Sequence, residues 1–204
     1  MNGNETIALV LVGLLFSLSA GVRITLPLIA LNQLAEHHAI VLPSNLAWMG
    51  DQGTLVLLAV AFVAETLVHF VPVVGTSVKA ISTPLAFVAG TLLMAVPLDH
   101  QNPLIQWTLA GMVGGGLATL THVGLTGART VSGPANLASG GMLGVGWNFG
   151  EIGLAVLLAG LGYLCLHVNW IVGVALLIAV VAVMAFFALL LVKAWRKLTQ
   201  LRPV

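Results

Sequence analysis

Long apolar runs separated by short polar breaks set the plan of this chain. Residues 6–22 (TIALVLVGLLFSLSAGV), 53–71, 77–97 and 104–126 each approach the ~20 apolar residues that a helix needs to cross a ~30 Å hydrocarbon core. Residues 152–192 form a further run, too long for one crossing, and His167-Val168-Asn169-Trp170 is the break that divides it. The pattern predicts six spans, the last two over 150–167 and 170–192. The rival reading of 6–22 as a signal peptide lacks a positive n-region, since MNGNE carries no Lys or Arg.

Two interruptions are longer than turns. After Arg23 comes ITLPLIALNQLAEHHAIVLP, which is broken by Pro27 and Asn32-Gln33 and ends in Glu36-His37-His38. It is too short and too polar to span, which predicts a re-entrant or interfacial half-helix. Adjacent histidines point away from each other on a helix, so His37 and His38 read as a solvated cluster and not as a metal site. The second interruption, 130–148, holds Pro134 and several glycines. Interior Gly costs ~1 kcal/mol and Pro ~3 kcal/mol relative to Ala in a helix. We expect a broken, non-spanning segment that forms one wall of a site, with Ser132, Asn136 and Asn148 turned toward a polar cavity. Arg129 would stand at its entrance beside Glu151. A solvated cytoplasmic loop is the plain alternative.

Composition identifies the solvent. Only 7 Lys+Arg and 6 Asp+Glu occur in 204 residues, and 59% of the chain is hydrophobic; a soluble domain carries roughly 25% charged residues. The mean hydropathy is +1.10. The net charge of +1 and the lack of a basic patch before residue 193 give no footing for nucleic acid. The single Cys165 permits no internal disulfide. The five tryptophans fall near span ends, where interfacial belts explain them. The basic tail (Lys193, Arg196, Lys197, Arg202) predicts a cytoplasmic C-terminus, and six spans then place the N-terminus on the same side.

The halves resemble each other. Gly21-Val22-Arg23 recurs as Gly127-Ala128-Arg129, each followed by a proline, Pro27 or Pro134. Asp51-x-Gly53 recurs as Glu151-x-Gly153, with aliphatic matches behind it. Acids and arginines are scarce here, so these matches carry more weight than the aliphatic ones. Three spans per half would insert the second half upside down, the arrangement of many secondary transporters. The expected fold is an all-α integral membrane protein: one domain over 1–204, with inverted three-helix repeats over about 1–100 and 101–204 and re-entrant or broken segments. It would place Arg23 and Arg129 at opposite ends of the pseudo-twofold.

Ionisable residues within spans are the candidate chemistry. Glu65 and His69 are four apart and share a helix face. A charge at that depth costs ~2.5–3.5 kcal/mol on insertion scales, so Glu65 should face a partner or cavity, or carry a proton. His122 lies seven residues before Arg129, on nearly the same face. The candidate pathway residues are Glu65, His69, His122, Arg129, Asn136, Asn148, Glu151, Arg23 and Asp51. A static buried network holding helices together is the structural alternative. No H-E-x-x-H, G-x-S-x-G, phosphate loop or Cys/His metal spacing occurs, so no enzyme, cofactor or metal is expected.

Gly21-x-Arg23 with Pro27, Glu65-x-x-x-His69-x-x-Pro72, Pro84-x-x-x-x-Ala89-Gly90, and His122 with Arg129, Pro134 and Glu151 resemble the small bacterial membrane proteins grouped as domain of unknown function 4126. The similarity spans most of the chain. In that family an acidic-basic pair follows the equivalent of Glu65, where this chain has His69-Phe70, and a lysine stands where this chain has Leu125. The resemblance implies a multi-span protein of the bacterial cytoplasmic membrane with no assigned activity. The Gly-x-Arg and proline pattern is also faintly similar to DedA-type lipid-transport proteins.

These readings predict a small transporter or channel-like protein that moves a small solute or ion, with protons linked, through a polar path between the halves. A DedA-type lipid scramblase or flippase is the alternative. Its partners would be the bilayer and the solute, and self-association in the membrane is compatible with either.

Overall fold

The computed structural model describes residues 3–68, 75–133, 136, 142–167, 175 and 178. Every regular element among them is helical. α1 is Gly3–Val22, α2 Thr25–Glu36, α3 Gln52–Val68 and α4 Gly75–Ala95. α5 runs Pro103–Val131 with a π-helical stretch at Ala110–Gly115, and α6 is Met142–His167. A 3-10 helix, Ser44–Gly50, precedes α3 at a bend of 63°. His69, the basic tail and all of the expected sixth span except 175 and 178 lie outside the described residues.

Among the described residues, three helices are long and apolar enough to cross a membrane: Glu5–Val22, Pro103–Val131 and Met142–Leu166. A fourth crossing exists if the bent pair around residue 51 counts as one span. The outer surface matches that reading. Val56, Leu57, Val60 and Leu67 of α3 are exposed, as are Ile81 and Leu85 of α4 and Val156 and Leu157 of α6. Water would penalise so much exposed aliphatic surface, whereas lipid does not. The chain is an integral membrane protein by this surface and by its helices.

α1 is the axis around which the rest packs, with Leu15 and Phe16 essentially inaccessible. Its polar residues are used for helix contacts. Ser17 Oγ bridges Gly13 O at 2.7 Å and Gly90 O of α4 at 3.1 Å, and Ser19 Oγ donates to Ala155 O of α6 at 3.0 Å. Serines give membrane helices directional contacts that hydrocarbon cannot.

Glycines set how closely α4 and α5 approach. A Cβ on Gly114 would sit 2.3 Å from Gly90 O and 2.4 Å from Met94 Cβ, and a Cβ on Gly90 would sit 2.4 Å from Gly114 O. The triple glycine therefore acts as a packing surface at Gly114 and Gly115, and the π-helical stretch sits on the same residues. We expect Gly114→Ala to cost about 1–3 kcal/mol by overpacking. Gly127→Ala, where nothing lies within 4 Å, should be neutral or slightly stabilising. Detergent-solubilised unfolding of both variants checks the difference.

Helix directions depart from the expected topology. Gly13 lies against Met94 and Pro97, while Ser17 bonds Gly90, so α1 and α4 are antiparallel. Gly90 meets Gly114 and Ser82 meets His122, so α4 and α5 are also antiparallel. α1 and α5 therefore run in the same direction. An inversion relating residues 21–23 to 127–129 would make them antiparallel, so the inverted pairing of halves is not the relation between these helices. The two Gly-x-Arg motifs also differ in use. A Cβ on Gly21 would meet Ala118 O at 2.4 Å, whereas Gly127 faces open space.

The physical reason is α2. At 12 residues it is ~18 Å long and cannot cross the core by itself. It nevertheless turns the chain back. α2 lines a groove with Val156 and Tyr163 of α6, a stretch that lies beside Phe16 and Ser19 of α1. α3 then returns antiparallel to α2, with Asn32 Nδ2 on Met49 O and Asp51 O at one end and Glu65 on Thr25 at the other. This extra reversal puts the N-terminal end of α1 and the 97–102 turn at the same end of the bundle, not at opposite ends as expected.

α2 ends in a Schellman motif. His38 N–H donates to Ala35 O and Ala39 N–H to Leu34 O, with His38 at φ 54°. His37 and His38 thus belong to a helix terminus. His38→Gly should stabilise by about 0.5 kcal/mol, the left-handed strain removed less the entropy that Gly adds to the unfolded chain. Thermal unfolding in detergent checks it.

Candidate functional site

The turn between α1 and α2 takes only Arg23 and Ile24, and it lies inside the bundle. Arg23 is completely buried. Its Nη2 donates to Asn148 Oδ1, and its Nε lies 3.7 Å from Glu151 Oε2. Arg129, in the last turn of α5, donates through Nη2 to that same Glu151 oxygen. Asn148 and Glu151 are one turn apart on α6, so one helix face presents an amide and a carboxylate to two guanidiniums. Both acceptors are buried. The expected placement of Arg23 and Arg129 at opposite ends is thereby overturned: their side chains converge.

Glu65 occupies the other side of the turn. Its Oε1 accepts from Ile24 N–H at 3.1 Å, and its Oε2 accepts from Thr25 N–H at 3.3 Å and Thr25 Oγ1 at 2.6 Å. A helix that starts inside a bundle exposes backbone N–H groups that need acceptors. A carboxylate from another helix meets that need and complements the positive end of the α2 dipole. The charge of Glu65 also acts on Arg23 and His122.

His122 closes the cluster. Its Nδ1 is 3.3 Å from Gly21 O and its Nε2 is 2.9 Å from Ser82 Oγ. A carbonyl only accepts, so Nδ1 carries the hydrogen and, in the neutral ring, Ser82 donates to Nε2. Arg23 of the turn therefore lies with Glu65, His122, Arg129, Asn148 and Glu151, which α3, α5 and α6 contribute.

Other expected members lie elsewhere. Asp51 is exposed at the opposite end of α3 from Glu65, ~21 Å away along the helix, with its backbone carbonyl engaged by Asn32. Asn136 Oδ1 accepts from Gly144 N–H at 2.6 Å, and Ser132 Oγ donates to Arg129 O at 3.0 Å. These are local backbone contacts and not the walls of a polar cavity. α6 begins at Met142, eight residues before the expected span, so 142–148 is helix and not part of the break. Pro134 and 137–141 lie outside the described residues.

Sequence reasoning missed Thr25 and Ser82. A Thr two residues after a buried Arg at a helix start is a local signal that was available. Ser82 reaches His122 across forty residues of sequence, and no spacing rule announces that. No group of three or more metal-ligating side chains occurs among the described residues.

Beside the cluster, α2 and α6 enclose a half-open groove of about 580 Å³. Leu26, Ile29, Ala30, Val156 and Ala159 line it, with Gln33 and His37 toward the end of α2.

A family model described as Domain of unknown function (DUF4126) matches residues 10–191. No curated protein and no solved structure matches the chain.

Proposed function

The chain belongs to the DUF4126 family, whose description assigns no activity, so we propose from its own residues that it is a small membrane transporter moving a solute or ion with protons linked. The observation that carries this reading is the convergence of two arginines, two glutamates and a histidine on a helix break inside an apolar bundle. Ionisable residues are expensive at such depth and in membrane proteins mark proton relays and ion paths. Helix breaks there are tolerated where side chains or a cavity re-satisfy the backbone. Glu65 is the carboxylate that caps the start of α2, Glu151 the carboxylate shared between guanidiniums, and His122 a neutral link between Ser82 and the α1 backbone. A bacterial cytoplasmic membrane, a cytoplasmic C-terminus and a sixth span over 170–192 belong to the same proposal; because α6 runs antiparallel to α1, that span would leave the N-terminus on the opposite side.

The α2–α6 groove favours a second reading, lipid handling of the DedA kind. Its apolar walls and half-open mouth suit an acyl chain better than a hydrated solute. Reconstitution into liposomes with proton-flux and fluorescent-lipid assays run in parallel separates the two. Protein-dependent proton flux without lipid exchange is expected. Lipid exchange without proton flux would replace the first reading by the second.

A further inference from the structure

The ionic cluster keeps its own charge balance. Among the described side chains meeting there, Arg23 and Arg129 contribute two positive charges, and Glu65 and Glu151 two negative ones. His122 adds none in the neutral ring, with Nδ1 donating to Gly21 O. Over the described side chains the cluster is neutral at rest. A low-dielectric site holds an unbalanced charge only at high cost. A proton arriving alone would leave one positive charge, and a metal cation would add to it. A monoanion arriving with the proton returns the sum to zero.

The two carboxylates are not equivalent acceptors of that proton. Glu65 is held by two backbone N–H groups and a hydroxyl that belong to the helix break itself. Glu151 is held by two guanidiniums on separate helices, Arg23 from the α1–α2 turn and Arg129 from α5. Among the described side chains, the other charged or titratable groups around it are Glu65 of α3 and His122 of α5, while α4 presents the hydroxyl of Ser82 through His122. If Glu151 takes the proton, the guanidiniums lose their shared anion. Guanidinium forks fit a planar carboxylate bidentately.

We propose that the cluster moves one proton together with one small monocarboxylate, whose carboxylate replaces that of Glu151 between Arg23 and Arg129 while Glu151 carries the proton. This rests on the transport reading above. The proton binds Glu151 Oε2 as the substrate arrives. On the other face it leaves, the Glu151 carboxylate returns to Arg129, and the substrate is expelled. No net charge crosses.

The test uses wild-type protein in liposomes with radiolabelled pyruvate and lactate, and with Na⁺ and K⁺ gradients as cation arms. A transmembrane difference of about one pH unit should drive about tenfold accumulation of a monocarboxylate, the ratio one unit sets for one-to-one electroneutral cotransport with a proton. A valinomycin-clamped potential should not change it. Pyruvate should also protect the detergent-solubilised protein against thermal unfolding more strongly at low pH. Glu151→Gln, which mimics the protonated state, should keep the protection and lose its pH dependence. Protons coupled to Na⁺ or K⁺, accumulation that follows the potential, or proton flux with neither carboxylate accumulating would each overturn the monocarboxylate and leave the transport reading standing. Absence of any protein-dependent proton flux would remove the transport reading itself.

Discussion

Glu151→Ala is expected to lower stability by about 3–5 kcal/mol, the cost of removing one partner from a buried ion pair. The reason is specific to this site. Glu151 is buried and is the acceptor on which Arg23 and Arg129 converge. Without it a completely inaccessible guanidinium loses the carboxylate that lies 3.7 Å from its Nε. Glu151→Gln should lose less, because the amide oxygen still accepts from one guanidinium. Arg129→Ala should also lose less than Glu151→Ala, since Arg129 is about one-fifth exposed. SDS-titrated unfolding of the three variants orders them. A loss for Glu151→Ala under about 1 kcal/mol, typical of a surface pair, would mean that water reaches the guanidiniums.

The second large effect is on activity. Glu65→Gln should fold and insert, because the glutamine oxygen still accepts from the Ile24 N–H and its NH2 can donate to the Thr25 hydroxyl, which turns from donor to acceptor. It removes one of the two negative charges that balance Arg23 and Arg129, so a proton on Glu151 would leave the cluster with excess positive charge, and pH-dependent flux in liposomes should fall to the level of protein-free vesicles. Glu65→Ala removes the cap as well and should cost a further ~1 kcal/mol of stability. Full and equally pH-sensitive flux in Glu65→Gln would show that Glu65 is a structural cap and no more.

Hydropathy made the helices legible because an apolar run of about twenty residues has one physical use. α1, α3, α4 and α5 start and stop within a few residues of the runs that predict them. Much of the site was legible too. A buried charge must find a partner, so Glu65, His122, Arg23, Arg129 and Glu151 stood out by scarcity alone. Helix direction was not legible. A 12-residue α2 fails every length test for a span, yet it reverses the chain as a full crossing would. That one reversal turned the apparent inversion of Gly-x-Arg motifs into two parallel helices whose arginines meet. Asp51 and Glu151 matched in sequence but not in setting: one is exposed at a helix start, the other buried at the cluster. Pro134 and the four glycines between 133 and 144 suggested broken backbone over 130–148, but helix starts at Met142. A packed bundle overrides propensity costs of ~1 kcal/mol per glycine.

Proton uptake into liposomes holding the wild-type protein, followed with a trapped pH dye after an external acid step with pyruvate, lactate, Na⁺ and K⁺ supplied outside, tests the central claim most directly. The account predicts uptake that rises with the amount of protein, saturates with the imposed gradient and is lost in Glu65→Gln. Uptake equal to that of protein-free liposomes would contradict it and leave the Arg23–Glu151–Arg129 cluster as a device that only holds helices together.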